Sequence, residues 1–422
     1  MPNRTVAPPV QPITELSLLP VHTFTLDNKV PVYAVSAGEQ DVVKIELFYR
    51  AGLWYEPAKL ISQLTNRMLR EGTRSHTGKE LADNLEYYGV NLDYACGVET
   101  AGATLFGLSR HIPEVLPLLA EIFTEPAFPD EELATVTRNQ KQRLLVNLQK
   151  NDFVAGREFH RALFGHQHPY GKSADPEDYD SVCRDDLNRF FQTHYHTGNL
   201  QIILAGKLDD SIYSAVNRYF GQLPVARPPI PAEHTVSPSQ QQYIHLSRHD
   251  SVQSSIAMGH LSISKTHPDF LELSVVNTLL GGYFGSRLMK NIREEKGYTY
   301  GIFSSLVSYP RAGYWEITAD VGKEVCHAAI EEIQNEIHLL QNEPVPEDEL
   351  QTVQNYLSGR ILRSVDGPFK YAETLKNLII YNLNTDYIHQ TLHAVRSITP
   401  ARIMQLSNQY LNPEKMYRVI VG

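Results

Sequence analysis

The 422-residue chain reads as an α+β protein of two similar domains, each an antiparallel β-sheet packed with α-helices. Three observations predict this. Two segments recur in the same order half a chain apart. Strand-like and helix-like stretches cluster instead of alternating singly. A proline-rich stretch, residues 224–233 (PVARPPIPAE), separates the halves and predicts a stiff, extended linker.

The first echo sets Pro129-Asp130-Glu131-Glu132-Leu133 against Pro346-Glu347-Asp348-Glu349-Leu350. Each opens a helix with proline near its first turn and acids just after it, where the helix dipole favours negative charge. The second sets residues 81–89 against 289–297, each a helix stopped by a glycine (Gly89, Gly297) and followed by an alternating strand. Period-two alternation predicts strands over 20–26, 30–36, 42–50, 90–96, 101–109 and 199–205, then 242–247, 252–260, 298–307, 312–320 and 416–421. Helical spacing predicts helices over 57–71, 77–88, 111–124, 129–164 and 183–195, then 266–280, 284–296, 323–341, 346–364, 368–382 and 399–411. The chain divides into an N-terminal arm (1–19), a first domain (20–223), a linker (224–238) and a second domain (239–422).

Acidic residues outnumber basic ones 48 to 38, a formal charge of −10, which argues against a nucleic-acid partner held by phosphate contacts. No apolar run reaches the ~18 residues of a membrane span, and the Pro-rich start lacks the apolar region of a signal peptide. The compartment stays open: a trimmed leader implies the periplasm or a membrane surface, and no leader implies the cytoplasm. Cys96, Cys183 and Cys326 are odd in number and far apart, so neither a disulfide framework nor a cysteine zinc site follows.

Four segments carry the most information: Arg50-Ala51-Gly52-Leu53-Trp54-Tyr55-Glu56-Pro57; the helix running to Met68-Leu69-Arg70-Glu71-Gly72-Thr73; residues 281–288 (GGYFGSRL); and residues 292–300 (IREEKGYTY). Together they resemble the M16 (insulinase-like, pitrilysin) metallopeptidase family, and within it the short two-domain members that work in pairs. The resemblance runs from about residue 20 to the end and implies metallopeptidase (LuxS-like) half repeats. Active members carry H-x-x-E-H on the first long helix, where two His one turn apart hold Zn²⁺ and Glu activates water. Counting back from Gly72-Thr73 puts Gln63, Asn66 and Arg67 at those positions. Gln is a poor zinc ligand, Asn cannot act as a base, and Arg stays protonated. A guanidinium ~4 Å from Zn²⁺ repels it by roughly 8 kcal/mol at an effective dielectric of ~20. The third ligand falls near 143–145, which reads Arg143-Leu144-Leu145, and no Asp or Glu occurs from Leu133 to Asn151. The sequence therefore predicts no metal in this chain. Read without the family, the helix is simply amphipathic, with Leu60, Leu64 and Met68 on its core face.

The second half keeps more. The resemblance implies that Arg293 and Tyr300 reach a partner's zinc site and donate hydrogen bonds to the carbonyl where negative charge develops. From the residues alone, Arg293 offsets a helix C-terminal dipole and Tyr300 packs on a half-buried strand. Tyr298 shares strand parity with Tyr300 and competes for the substrate-facing role. Gly281-Gly282 and Gly285 do not form a phosphate loop and read as a tight turn, with a weak implied role near substrate. His166/His168 and His194/His196 read as structural or surface residues, and the acidic run 175–180 as a solvated loop. The resemblance thus implies the zinc-less subunit of a heterodimeric peptidase, with a zinc-bearing M16 partner and a peptide substrate, and with a homodimer as an option for the isolated chain. A structural core-type protein of the same fold is the alternative.

Overall fold

The structure is a computed structural model that describes Ile13 and residues 15–422. Of the expected N-terminal arm, residues 1–12 and 14 lie outside the described residues, while Leu16, Leu18 and Leu19 pack against the core of the second half. The first sheet contains β1 (His22–Thr25), β2 (Pro31–Ser36), β3 (Val42–Tyr49), β4 (Asn91–Cys96), β5 (Ala101–Leu108) and β6 (Leu200–Gly206). The second contains β7 (Tyr243–Leu246), β8 (Gln253–Ser262), β9 (Thr299–Ser308), β10 (Gly313–Gly322) and β11 (Tyr417–Val421).

The strand orders are β1-β2-β6-β3-β5-β4 and β7-β11-β8-β10-β9. Apart from the extra edge strand β1, the two sheets superimpose strand for strand. In each, the last strand of the half inserts second from the edge and makes the one parallel pair, β2 with β6 and β7 with β11. All other pairs are antiparallel. Position in the sheet explains the sequence. Central β3 is buried along nearly its whole length, whereas edge strand β4 alternates exposed and half-buried residues.

The expected helix over 129–164 is two helices, Asp130–Asn147 and Asn151–Phe164, separated at Lys150, whose backbone is extended (φ −85°, ψ 132°). The break is fastened from the other half, where the Arg248 guanidinium donates to the Leu148 carbonyl at 2.6 Å. The second half repeats the device with helices Glu347–Ser364 and Gly367–Ile380. The outcome is an exchange. Helix Asn151–Phe164 lies on β8 and β11 of the second sheet, and helix Gly367–Ile380 lies on β6 and β2 of the first. Each half thus covers one face of the other's sheet, so the core is continuous across the chain. Val35, Phe48, Ile203 and Ala205 of the first sheet share a cluster with Tyr371, Ala372 and Leu375 of the second half.

Other expected elements differ in length. The helix expected over 57–71 shortens to Ile61–Met68, because Leu60 adopts a left-handed conformation (φ 75°) that no helix can begin before. Its face follows the amphipathic reading: Leu60, Leu64 and Met68 are all buried. The helix expected over 284–296 is a π-helix, Met289–Glu295. Helices Asp210–Phe220 and Asp386–Ser397 were not expected. The proline-rich stretch has no regular secondary structure, yet its start is pinned: the Thr197 hydroxyl donates to the Pro224 carbonyl (2.7 Å) and accepts from the Ala226 N–H (2.9 Å). Among the described residues, no helix is long and apolar enough to cross a membrane.

Candidate functional site

Helix Ile61–Met68 packs against helices Arg184–His194 and Asp130–Asn147 and beside edge strand β4. Gln63 points to solvent. Asn66 is buried, and its Oδ1 accepts a hydrogen bond from the Tyr195 hydroxyl at 3.1 Å. The amide at the position of a catalytic base is therefore used to satisfy a buried phenol, a structural task. Arg67 is half-buried, and its Nε has no hydrogen-bond partner. Burial, followed by the positive charges of Arg70 and Arg143, holds its pKa below the usual guanidinium value.

Arg143 comes from helix Asp130–Asn147, so the structure brings the expected third-ligand window to this helix and delivers a cation there. Glu71 lies nearby, its pKa raised by burial and then by the charge of Glu132. Two guanidiniums and two amides form a donor set that repels a dication. Zinc does not fit these residues, and among the described residues no group of three His, Cys, Asp or Glu is placed to hold a metal. Beside the helix runs an open groove of about 940 Å³ lined by Arg70, Glu71, His76, Tyr94 and Glu132, where the Arg70 guanidinium lies 4.8 Å from the Tyr94 ring centre.

Arg293 and Tyr300 are brought together by two irregular pieces of backbone. Arg293 sits in the last turn of the π-helix, a geometry that is rare and frequent at functional sites. Asn291 anchors this turn, donating through Nδ2 to Glu336 (2.7 Å) and Glu332 (3.1 Å) on helix Cys326–Asn342. Gly297 turns the chain with a positive φ of 67°. Strand β9 then opens with a bulge: Thr299 pairs with Val321 and Ile302 with Ala319, so Tyr300 and Gly301 together face Asp320. The Thr299 hydroxyl holds the bulge, donating to the Asp320 carbonyl (2.6 Å) and accepting from the Gly301 N–H (3.1 Å).

The bulge separates the two competing tyrosines. Tyr298, ahead of the strand, is half-buried against the core. Tyr300 is 88% exposed, with the Arg293 guanidinium 4.9 Å from its ring centre. Phe284, in the glycine-rich turn, takes the other contact with Arg293 at 4.6 Å. Phe284 and Asn291 were not singled out from sequence, although an aromatic residue between glycines in a turn is a visible oddity.

Of the four histidines singled out, His166 is exposed and the other three have packing or backbone partners. His168 is buried, stacks on Phe164 and accepts from the Tyr170 N–H at 3.1 Å; burial, aided by His234, lowers its pKa to about 4. His194 packs on Phe190, and burial lowers its pKa to about 4 as well. His196 accepts from the Gly198 N–H at 3.1 Å. The acidic run pairs with cations: Asp175 with Lys59 (2.8 Å), Arg157 and Arg161, and Asp178 with Lys59 (2.9 Å).

Two matching halves that exchange helices define a doubled peptidase-like fold. The chain belongs to peptidase family M16: residues 32–175 match the family described as Insulinase (Peptidase family M16), and residues 181–357 match the Peptidase M16 inactive domain. It is similar to the uncharacterized zinc protease YmxG of Bacillus subtilis, 21% identical over 92% of this chain and 95% of that one. It is also similar to the non-peptidase homolog YmxG of Helicobacter pylori, 26% identical over 61% of this chain and 60% of that one. The crystal structure of a peptidase M16 inactive domain from Pseudomonas fluorescens superimposes with a TM-score of 0.88 at 25% identity, covering 95% of this chain and 98% of that one.

Proposed function

We propose that this chain is the zinc-less subunit of a heterodimeric M16 peptidase. The observation that carries the reading is a contrast within one molecule. Arg67 and Arg143 occupy the metal region of the first half, while in the second a half-buried Arg293 is in contact with an exposed Tyr300. A zinc-bearing M16 partner supplies the metal, the water and the base. Arg293 and Tyr300 donate hydrogen bonds to the peptide carbonyl as it gains negative charge, a contribution of about 3 kcal/mol per donor. The free edges of β4 and β9 offer backbone donors and acceptors to an extended peptide.

The test mixes the chain with the zinc-bearing M16 protein of the same organism and follows cleavage of an unstructured peptide. Cleavage is expected only in the mixture, with kcat falling about 100-fold for Arg293→Ala and about as much for Tyr300→Phe. Wild-type cleavage with both variants sinks the assignment. Activity that appears in the mixture yet ignores both variants supports the second reading, a purely structural subunit, which is favoured by the likeness to a relative called a non-peptidase homolog.

A further inference from the structure

We propose that Phe284 is a positioning residue that clamps the Arg293 guanidinium with its N–H edge free. The proposal rests on the reading above that Arg293 engages the substrate. It begins with what Arg293 lacks. Three polar neighbours on the same segment have partners: Arg287 makes a two-pronged pair with Glu349 (2.9 and 2.8 Å), Asn291 bonds Glu332 and Glu336, and Lys296 pairs with Glu332 at 3.1 Å. These contacts engage Glu332 and Glu336 of helix Cys326–Asn342 and Glu349 of helix Glu347–Ser364. Arg293, among the described residues, has neither ion pair nor hydrogen bond through its guanidinium. Its contacts are the rings of Phe284 at 4.6 Å and Tyr300 at 4.9 Å.

Those rings are exposed, Phe284 by 60% and Tyr300 by 88%, so burial of apolar area does not explain their placement. They come from different elements, a turn and a bulged strand end, and among the described residues they do not stack on each other. The guanidinium therefore touches two rings that do not stack on each other. A flat cation held this way keeps its in-plane N–H donors available for a carbonyl or carboxylate oxygen.

The turn that carries Phe284 is closely packed. A Cβ on Gly281 would stand 2.6 Å from the Ser304 Cβ, one on Gly282 would stand 2.7 Å from the Thr278 Cα, and one on Gly285 would stand 2.9 Å from the Tyr283 ring. Tyr283 itself packs on Tyr356, with ring centres 5.0 Å apart. The glycines thus let the turn seat closely and fix the position from which Phe284 projects. This gives the glycine-rich motif a role that phosphate chemistry does not.

Two measurements test the proposal. The first uses the isolated chain: ¹⁵N relaxation of the Arg293 Nε–H in wild type, Phe284→Ala, Phe284→Leu and Phe284→Tyr. The side chain should become mobile in Phe284→Ala and Phe284→Leu and stay ordered in Phe284→Tyr. Equal order in all four overturns the clamp, whatever the partner experiment gives. The second uses the heterodimer: Phe284→Ala should lower kcat about 5- to 10-fold with little change in KM, and Phe284→Tyr should restore it. A rise in KM alone would make Phe284 a simple substrate contact and overturn positioning. Full activity of Arg293→Ala would remove the functional reading beneath, while the relaxation data would still decide the clamp.

Discussion

The two exchanged helices meet the opposite sheets through different chemistry. Helix Asn151–Phe164 lies on the second sheet through Ala155, Phe159, Leu163 and Phe164, which join Ala257, Tyr314, Val419 and Val421 in one apolar cluster. Helix Gly367–Ile380 lies on the first sheet across Lys44, Glu46 and Phe48, which share one face of β3. There Lys376 donates to Glu46 at 2.6 Å, Lys44 lies 3.8 Å from Glu46 and 3.7 Å from Glu373, and the Lys44 and Glu46 side chains are almost wholly buried. The first seam is mainly apolar, with one polar link between His160 and the Tyr314 hydroxyl at 2.9 Å. The second adds this buried charge cluster to the apolar contacts of Val35, Phe48, Ile203 and Ala205 with Tyr371, Ala372 and Leu375. A duplicated architecture thus buries apolar area at both seams and a charge cluster at one.

The largest expected effect is on the apolar seam. Phe164 is fully buried and touches the rings of His168, Tyr170 and Tyr314. Phe164→Ala should cost about 4 kcal/mol, read as a lower denaturant midpoint. On the ionic seam, Glu46→Ala should cost about 3 kcal/mol, because it leaves the buried Lys44 ammonium with only Glu373, 3.7 Å away, and the half-buried Lys376 without its carboxylate. Replacing the cluster with apolar residues of similar volume (Lys44→Met, Glu46→Leu, Lys376→Met) should recover most of that loss. A loss under about 1 kcal/mol for Glu46→Ala would mean that water screens the cluster, and the contrast between the seams would fail.

Beside the apolar seam lies an acid with no ion pair or hydrogen bond among the described residues. Glu316 lies two residues beyond Tyr314 on the same face of β10, and burial alone pushes its pKa up to about 7. The unfolded value is near 4.5. Between these values the native state binds more protons than the unfolded one. The contribution is therefore fully present below pH ~4.5 and lost as pH rises through 7. Between pH 5.5 and 8 this group should remove about 1–2 kcal/mol of stability, and Glu316→Gln should flatten that part of the profile. An unchanged slope in the variant would assign the titration elsewhere.

What the sequence made legible follows the same division. Strand positions are written locally, as alternation in an edge strand such as β4 and as a continuous buried run in a central strand such as β3, and the duplication was visible in the echo of Pro129 and Pro346. The exchange of helices was not. Residues 148–150 contain neither glycine nor proline, and the break exists because Arg248, far along the chain, caps the carbonyls there. An amphipathic face declares that it is buried without naming the sheet that buries it. The site shows the same limit. Gln63, Asn66 and Arg67 could be counted from Gly72-Thr73, yet the task of Asn66 depends on Tyr195, 129 residues away. The difference in exposure between Tyr298 and Tyr300 goes with a bulge that strand parity cannot encode.

The smallest expected effect concerns the metal. With Gln63→His, Asn66→Glu and Arg67→His together, the helix regains its three motif residues, yet Arg143 still brings its charge to the same place. Metal analysis after dialysis should find well under one zinc per chain for this triple variant, and chelator should leave its melting temperature unchanged. Adding Arg143→Glu removes the repulsion and supplies an oxygen ligand, so zinc should then bind and raise the melting temperature. Tight binding by the triple variant alone would show that the cation from helix Asp130–Asn147 is not what keeps a dication out. The barrier would then lie entirely in the three helix residues, and the first half would differ from an active one by side chains on a single turn.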